Sequence, residues 1–302
     1  MAKTISPSKA AALIRSGGLV AFPTETVYGL GANALDAAAV AKIFELKGRP
    51  STSPLIVHVS SIEMARRYIT GWPAGAQELA MKYWPGPLTL VLPKSPEIPD
   101  IVTAGLPTVG IRVPAHPIAL ELIREAGVPI AAPSANRFTH LSPTTAQHVR
   151  EEFGDAVEVL DGGSTQVGIE STVVSLAGGK LILLRPGMIS LGDIERGATP
   201  HASHPSPGMH DRHYSPQTRL LLVDGPKQLP DHHGAYVWWK ERGLTPRSIH
   251  MPADPAQYAA RLYSVLHQLD SESWPWIAVE APPANPEWAA ILDRLTRARS
   301  KM

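Results

Sequence analysis

Residues 36–59 read DAAAVAKIFELKGRPSTSPLIVHV, and this stretch decides the fold class. Asp36 can cap the start of a helix and Gly48 can end it. The apolar stripe of that helix is formed by Val40, Ile43 and Phe44. The short apolar run Leu55–Val59 that follows is typical of a buried strand. A helix next to a buried strand predicts an α/β domain.

On both sides of this stretch, apolar runs and helical patterns alternate irregularly over residues 1–196. This alternation predicts an α/β domain with a mixed sheet and flanking helices. The further predicted strands are Leu19–Phe22, Leu88–Leu92, Val109–Val113, Ile130–Ala132, Thr172–Leu176 and Leu181–Leu184. The further predicted helices are Ser8–Arg15, Met64–Tyr68, Ala76–Tyr83, His116–Ala126 and Thr144–Phe153.

The chain changes character after residue 196. Residues 197–216 are rich in Pro, His, Ser and Gly and have no periodicity, which predicts a linker. Residues 217–302 then show a second, smaller α/β pattern. Its predicted elements are the strands Leu220–Val223, Ala235–Trp238 and Ile277–Val279 and the helices Pro255–Asp270 and Glu287–Arg299.

Composition excludes several classes of protein. The 302 residues carry a formal net charge of +1, so no global basic field would attract a nucleic acid. The absence of cysteine excludes disulfides, thiolate zinc sites and a Cys nucleophile. The N-terminus has no signal-peptide core, and no apolar run reaches the roughly 18 residues of a membrane span. We therefore expect a soluble, cytoplasmic protein with no membrane contact.

Two short strings far apart in the sequence indicate the chemistry. Lys47-Gly48-Arg49 ends the first helix, and Ser134-Ala135-Asn136 follows the apolar run Pro129–Ala132. Cations can neutralise phosphate oxygens, while a hydroxyl and an amide supply directional hydrogen bonds. Each string alone occurs often by chance. Together they predict a site for a polyanion.

Five further features stand at the ends of predicted strands, and four of them have a structural alternative. Phe22–Gly31 predicts a polar, glycine-containing turn that either approaches a ligand or is an ordinary tight turn. His58 is more often structural than a ligand, and Arg112 either faces an anion or forms an internal salt bridge. Gly168–Thr172 is a polar turn, and Arg185 is either a ligand or a surface side chain. Their common position predicts a pocket for a nucleotide at one end of a sheet.

Other cofactor motifs do not occur in the sequence. There is no Walker A motif, and Gly29-Leu30-Gly31 lacks the third glycine of the dinucleotide fingerprint. No Cys/His cage for a metal is present. Four histidines share the predicted linker, and their irregular spacing favours a solvated loop over a metal site: His201, His204, His210 and His213.

The order of these strings resembles threonylcarbamoyl-AMP synthases with a YrdC-like catalytic domain. The resemblance covers about residues 4–195. The linker strings Ser206–Met209 and Arg212–Pro216 are similar to those of the long, two-domain members. The matching segments are Phe22–Ala34, Lys47–Val59, Trp84–Leu92, Thr108–Pro114, Pro129–Asn136, Asp161–Val174 and Leu184–Gly187.

The resemblance implies a fold and an activity. The fold would be a YrdC-like twisted mixed sheet with flanking helices, a linker over the active site, and a C-terminal α/β domain that looks shortened internally. The activity would be synthesis of L-threonylcarbamoyladenylate from L-threonine, bicarbonate and ATP, with release of pyrophosphate. Mg²⁺ would arrive on the ATP phosphates and need no protein ligands. The product would reach tRNA indirectly, through a separate transferase complex.

The resemblance also implies roles for particular residues. Contacts to ATP would come from Lys47, Arg49, Thr108, Ser134, Ser142, Arg185 and Tyr214. Contacts to threonine would come from Thr24, His58, Arg112, Ala132 and Ser171. The catalytic set would be Lys47, Arg49, Ser134 and Asn136.

Two other functions share parts of this pattern. A non-catalytic RNA-binding module could use the same fold to present a positive concave surface. A carbamoyl-transfer enzyme of the hydrogenase-maturation type would carry cysteine-rich zinc fingers, which a chain without cysteine cannot form.

Overall fold

A computed structural model describes residues 5–192, 195–196, 213–231 and 233–300. Within these residues, ten strands form one mixed sheet and four strands form a second sheet that is entirely parallel. The expected α/β class, with a mixed sheet and flanking helices followed by a smaller α/β part, is confirmed. The predicted linker falls largely on residues 197–212, which lie outside the described residues, as do His201, His204 and His210.

The larger sheet is built by the first 196 residues. Its strand order is β10-β9-β8-β4-β5-β3-β6-β2-β1-β7, with antiparallel and parallel neighbours intermixed. The strands are β1 Val20–Phe22, β2 Gly29–Asn33, β3 Ile56–His58, β4 Leu88–Pro93, β5 Thr108–Arg112, β6 Ile130–Ala131, β7 Glu158–Val159, β8 Thr172–Ser175, β9 Ile182–Arg185 and β10 Glu195–Arg196. The helices are α1 Pro7–Arg15, α2 Ala37–Lys47, α3 Ile62–Arg67, α4 Ala74–Tyr83, α5 Asp100–Thr103, α6 Pro117–Ala126 and α7 Ala146–Phe153.

Helix α2 begins and ends where its sequence predicts. The Asp36 side chain accepts hydrogen bonds from the backbone N–H groups of Ala38 and Ala39. Gly48 ends the helix in the left-handed region at φ 61°, a conformation that glycine adopts without strain. Because Gly48 turns the chain sharply, Lys47 and Arg49 both point inward and are buried. The helix end therefore delivers two cations to the interior.

The segment after β1 differs from the predicted turn. Gly29 and Gly31 lie inside β2, which pairs antiparallel with β1. A Cβ atom at Gly31 would come within 2.8 Å of Ile130 Cγ2 and of the Phe22 ring. This glycine is therefore required by close packing inside a sheet, not by a positive φ. The short elements β7, α5 and β10 also escaped prediction, because two to four residues carry too little periodicity.

The smaller sheet has the strand order β11-β14-β12-β13. Its elements are β11 Leu220–Val223, β12 Ala235–Trp238, β13 Arg247–His250, α8 Pro255–Ser271, β14 Ile277–Glu280 and α9 Ala289–Ala298. Its core also contains Val27, Leu141 and Ile169 from the first part of the chain. The two sheets are thus joined by a shared hydrophobic core, which places α8 and α9 next to the larger sheet.

Among the described residues, no helix combines the length and the apolar character needed to cross a membrane.

Candidate functional site

A cavity of about 530 Å³ lies between the larger sheet and the start of the C-terminal part. This volume includes open solvent at the mouth of the cavity. Its lining includes Ile56 and His58, which point to the same side of β3 because they are two residues apart. The sequence analysis predicts a pocket at the end of the sheet. The cavity lies there and also extends over one face of the sheet.

The string Lys47–Arg49 is in direct contact with the string Ser134–Asn136. The Lys47 ammonium donates a hydrogen bond of 2.6 Å to the Ser134 carbonyl oxygen and another to the Asn136 carbonyl oxygen. Burial, and secondarily the charge of Arg49, hold the pKa of Lys47 well below its usual range. Lys47 thus fixes the segment 134–136 from behind, while Ser134 lines the cavity.

Arg49 lines the cavity and carries its charge into it. Its guanidinium donates to the Ser53 hydroxyl and, at 3.1 Å, to the Pro54 carbonyl oxygen, both of which are neutral acceptors. It also lies 5.8 Å from the centre of the Phe138 ring. Burial lowers the pKa of Arg49 to about 10, so it stays charged at neutral pH.

His58 and Arg112 are direct neighbours across the parallel strands β3 and β5. Arg112 donates to the Thr26 hydroxyl at 3.0 Å and to the Gly86 carbonyl oxygen at 3.2 Å. Its Nη2 atom lies 2.8 Å from Oε1 of Glu25. That contact is an ion pair without hydrogen-bond geometry, since neither Glu25 oxygen has a hydrogen bond. The internal salt bridge and the cavity-facing position of Arg112 are therefore both present.

His58 is a neutral side chain in this site. Burial, reinforced by the charge of Arg112, lowers its pKa to about 3. Its buried Nδ1 atom has no hydrogen-bond partner. Because buried polar atoms are nearly always hydrogen-bonded, an orphaned nitrogen in a cavity wall is suited to a polar ligand.

A second wall comes from the β1–β2 loop, which Arg112 contacts, and from the segment after β6. The Thr24 hydroxyl donates to the Val27 carbonyl oxygen at 2.7 Å and accepts from the Thr26 backbone N–H. These bonds hold the loop in a compact turn. Ala132 and Ser134 complete this wall.

Ser171 and Arg185 form the third side. The Arg185 guanidinium donates to the Ser171 hydroxyl and to its carbonyl oxygen, each at 3.1 Å. The Ser171 hydroxyl is also hydrogen-bonded to Thr89 at 2.8 Å. Burial lowers the pKa of Arg185. Glu170, the neighbour of Ser171, supplies the carboxylate of the lining.

Tyr214 covers the cavity from the side of the C-terminal part. It is buried and adopts φ 61°, an uncommon conformation for a bulky residue. The chain on either side is tied down by the bond from Ser215 N–H to the Thr139 carbonyl oxygen and from His213 N–H to that of Arg297. The Tyr214 hydroxyl has no partner of regular hydrogen-bond geometry, and the Arg185 guanidinium lies close enough to interact with it.

The predicted site residues divide into two groups. Nine of them line the cavity: Thr24, Arg49, His58, Arg112, Ala132, Ser134, Ser171, Arg185 and Tyr214. Lys47 and Asn136 lie behind the lining, and Asn136 donates to the carbonyl oxygens of Arg137 and His140. The Ser142 hydroxyl donates to Glu170. Thr108 lines a neighbouring cavity that shares Ile56 with this one.

The sequence analysis assigned no role to three residues at or beside the site. Glu25 pairs with Arg112, and Arg294 pairs with Glu170 at 2.8 Å from the last helix. Glu25 and Glu170 both stand inside strings that were singled out, so a search for a counter-ion near each buried arginine could have found them. Arg294 has no such local signal.

The lining does not offer a protein cage for a divalent cation. Its carboxylate, Glu170, already accepts hydrogen bonds on both oxygens, from Ser142 on one and from Tyr263 and Arg294 on the other. In the part of the chain that the structure describes, no group of three His, Asp or Glu side chains could hold a metal ion.

Comparison with known proteins decides the family. The Sua5/YciO/YrdC family model, described as "Telomere recombination", matches residues 12–187. The model "Threonylcarbamoyl-AMP synthase, C-terminal domain" matches residues 188–300. The chain belongs to the threonylcarbamoyl-AMP synthase family. The Bacillus subtilis member is 41% identical over 318 residues, covering 96% of this chain and 92% of its own. The Pyrococcus abyssi member is 50% identical over 230 residues, covering 72% and 68%.

A solved member has the same architecture. The crystal structure of Pyrococcus abyssi Sua5 complexed with L-threonine is similar to this chain with a TM-score of 0.90 and 39% identity. The match covers 97% of this chain and 93% of that one. The resemblance found in the sequence is thus confirmed over both α/β parts of this family member.

Proposed function

We propose that the cavity makes L-threonylcarbamoyladenylate from L-threonine, bicarbonate and ATP, with release of pyrophosphate. One observation carries the proposal. Three buried arginines, Arg49, Arg112 and Arg185, line one cavity together with His58 and Tyr214, whose buried Nδ1 and hydroxyl groups lack a hydrogen-bond partner of regular geometry. Guanidinium groups suit carboxylate and phosphate oxygens, which threonine and ATP supply.

The chemistry needs no covalent enzyme intermediate. The threonine amine adds to bicarbonate or CO₂ and forms a carbamate, with loss of water or a proton. A carbamate oxygen then attacks the α-phosphorus of ATP, and the bond to pyrophosphate breaks. The protein would hold the two reactants in line and neutralise the charge on the phosphate oxygens. Mg²⁺ carried by those phosphates would add to this neutralisation.

The nucleotide end of the cavity is assigned to Arg49 and Arg185, because Arg112 is the arginine that pairs with Glu25 at 2.8 Å. Arg49 and Arg185 would contact phosphate oxygens, with Ser134 donating a hydrogen bond and Tyr214 covering the nucleotide. Lys47 would keep Ser134 in place and has a third N–H bond available for a phosphate. Three more predicted residues would act through neighbours or from the adjoining cavity: Asn136, Ser142 and Thr108.

The threonine end is assigned to the pair at the ends of β3 and β5. Arg112 would hold the carboxylate of the amino acid, and neutral His58 would accept or donate one hydrogen bond. Ser171 and Thr24 would meet the remaining polar groups, while the methyl group of Ala132 would contact the threonine side chain. Glu25 would balance the charge of Arg112 in the absence of the amino acid.

Three further points complete the proposal. Residues 1–196 would form the catalytic domain, 197–216 a linker over the site, and 217–302 a small C-terminal domain. The adenylate would pass to a transferase complex that modifies tRNA, so this chain would contact tRNA only indirectly. The reaction would take place in the cytoplasm.

Burial of the cations argues against the RNA-binding alternative. The exposed fractions of Arg49, Arg112 and Arg185 are 6%, 3% and 4%. Side chains this deeply buried cannot reach the phosphates of an RNA strand that lies on the surface. They can reach a small ligand that enters the cavity.

The proposal is tested by the substrate requirement of pyrophosphate release. The purified chain is assayed with ATP, threonine and bicarbonate together and with each omitted in turn. We expect release only in the complete mixture. Equal release without threonine would show hydrolysis of ATP to AMP and pyrophosphate or another nucleotidyl transfer, and no release in any mixture would contradict an enzyme of this type.

A further inference from the structure

Arg294 is a buried cation from the C-terminal part that reaches into the first part. It comes from α9, and its side chain is fully buried. Its Nε atom donates to Oε2 of Glu170 at 2.8 Å, and Nη2 donates to the Glu170 carbonyl oxygen at 3.3 Å. Its Nη1 atom donates to the Pro186 carbonyl oxygen at 2.9 Å and to Asp293 at 2.8 Å. This guanidinium is thus held by both sides of the interface.

Glu170 stands at the point where a negative charge would harm the site. It lines the same cavity as Arg49 and Arg185 and lies close enough to influence the pKa of Arg185. A carboxylate without a counter-ion would repel the phosphates of a nucleotide. Its other partners, Ser142 and Tyr263, are uncharged hydroxyl groups. Arg294 therefore supplies a positive charge in direct contact with the Glu170 carboxylate, and it shares that charge with Asp293.

Arg294 also contacts the residue that covers the cavity. Its guanidinium carbon lies 5.3 Å from the centre of the Tyr214 ring. Tyr263 is a second neighbour of Tyr214, and the centres of the two rings lie 6.0 Å apart. Arg294 thus contacts both the Glu170 carboxylate and the Tyr214 ring.

We propose that Arg294 is a positioning residue of the nucleotide site, which keeps the phosphate end of the cavity positive by neutralising Glu170. The inference rests on the proposed function, because it assumes that this end of the cavity takes a polyphosphate. It assigns the C-terminal part a direct role in ATP affinity: that part supplies the counter-ion for a carboxylate of the catalytic cavity.

The test is a pair of charge-neutralising variants in the full-length chain. Calorimetry measures ATP binding without threonine, and separately threonine binding, for Arg294→Gln, Glu170→Gln and the double variant. Arg294→Gln should weaken ATP binding by about tenfold or more, because the buried Glu170 loses the cation that is hydrogen-bonded to its carboxylate. Threonine binding should change by less than about twofold, because Arg112 lies outside this cluster. The double variant should return ATP binding to within about threefold of the wild type.

Arg247→Gln is the matched control. Arg247 pairs with Glu272 at 3.0 Å within the C-terminal part and does not line the cavity. Its loss should leave ATP binding unchanged. Restoration by a second substitution at Glu170 would separate charge balance from a structural role, since a residue that only supports the fold would not be rescued in this way.

Each outcome decides. Unchanged ATP binding in Arg294→Gln, or a double variant no better than the single one, would overturn the role of Arg294. If Arg294→Gln does not melt cooperatively, ATP binding by the double variant tests the inference, because neither charge of the Arg294–Glu170 pair remains in it. ATP binding about tenfold weaker than in the wild type would then overturn the inference. A wild-type chain that binds no ATP would contradict the proposed function and this inference together.

Discussion

The Lys47 ammonium lies 2.6 Å from the carbonyl oxygen of Ser134, which joins two strings that are 87 residues apart. The contact makes Lys47 a support for the cavity wall as well as a potential phosphate ligand. Two of its three N–H bonds are used by backbone carbonyl groups. Loss of Lys47 should therefore affect both stability and activity, rather than activity alone.

Lys47→Met should lower the free energy of unfolding by about 1–3 kcal/mol, because two buried carbonyl oxygens lose their donor. It should also strongly reduce adenylate formation, because Ser134 is no longer fixed. Lys42→Met is the control: Lys42 lies on the same helix and donates to a carbonyl oxygen, that of Gly17, away from the cavity. Urea unfolding and pyrophosphate release are measured side by side. A Lys47→Met chain with wild-type values in both would contradict the assignment.

Arg112→Lys should weaken threonine binding by about tenfold or more while ATP binding changes little. Arg112 makes three separate contacts, to Thr26, Gly86 and Glu25, and a single ammonium group cannot reproduce that planar arrangement. It would also fail to hold a carboxylate with two parallel hydrogen bonds. Calorimetry with each ligand measures both affinities. Weakened ATP binding with normal threonine binding would reverse the assignment of the two ends of the cavity.

Tyr214→Phe isolates the contribution of the hydroxyl. If the hydroxyl binds the nucleotide, its removal should weaken ATP binding by about threefold to tenfold, the value of one hydrogen bond. Tyr214→Ala should weaken it further and speed the hydrolysis of the adenylate, because the cover is lost. Tyr258→Phe, in the C-terminal core, is the control. Identical ATP binding in wild type, Tyr214→Phe and Tyr214→Ala would mean that this segment is only a spacer.

Truncation is a weaker test of the same idea. A chain that ends near residue 197 loses Tyr214, but it also loses Arg294, which leaves Glu170 without its counter-ion. Any defect would then have two causes. The point variants separate them, because they leave α9 in place.

Stability should fall as the pH falls below about 6.5. The His148 and His267 rings, from α7 and α8, are stacked with centres 3.9 Å apart. Burial, and then the neighbouring His267, lower the pKa of His148 to about 3, and burial also lowers that of His267. Between pH 6.5 and 3 the unfolded chain binds protons that the folded chain does not, so the folded state loses stability. Glu151, Glu152 and Asp270 also face His267 and partly offset this loss.

His148→Gln should make the pH dependence shallower. Urea unfolding at pH 7 and pH 5 measures the difference in the free energy of unfolding. The loss should be smaller in this variant than in the wild type, though not absent, since His58 is also held neutral. His233→Gln, at a side chain that is 81% exposed, should behave like the wild type. A wild-type chain that gains stability on acidification would contradict the account.

Local signals predicted much of this molecule. The Asp36 cap, the Gly48 stop and the strand that ends at His58 follow from short-range rules, and they place Arg49 and His58 at the cavity. The partnerships between distant charges did not follow. Glu170 and Arg294 are 124 residues apart, and only the packing of α9 against the first part brings them together. Glu25 and Arg112 are also far apart in the sequence, and the fold of the first part brings them together.

The identity of the product tests the central claim most directly. The chain is incubated with ATP, threonine and isotope-labelled bicarbonate, and the nucleotide products are analysed by mass spectrometry. The account predicts threonylcarbamoyladenylate that carries the label, formed together with pyrophosphate and absent when threonine is left out. A threonine-containing nucleotide without the label, or AMP or ADP formed equally well in the absence of threonine, would contradict it.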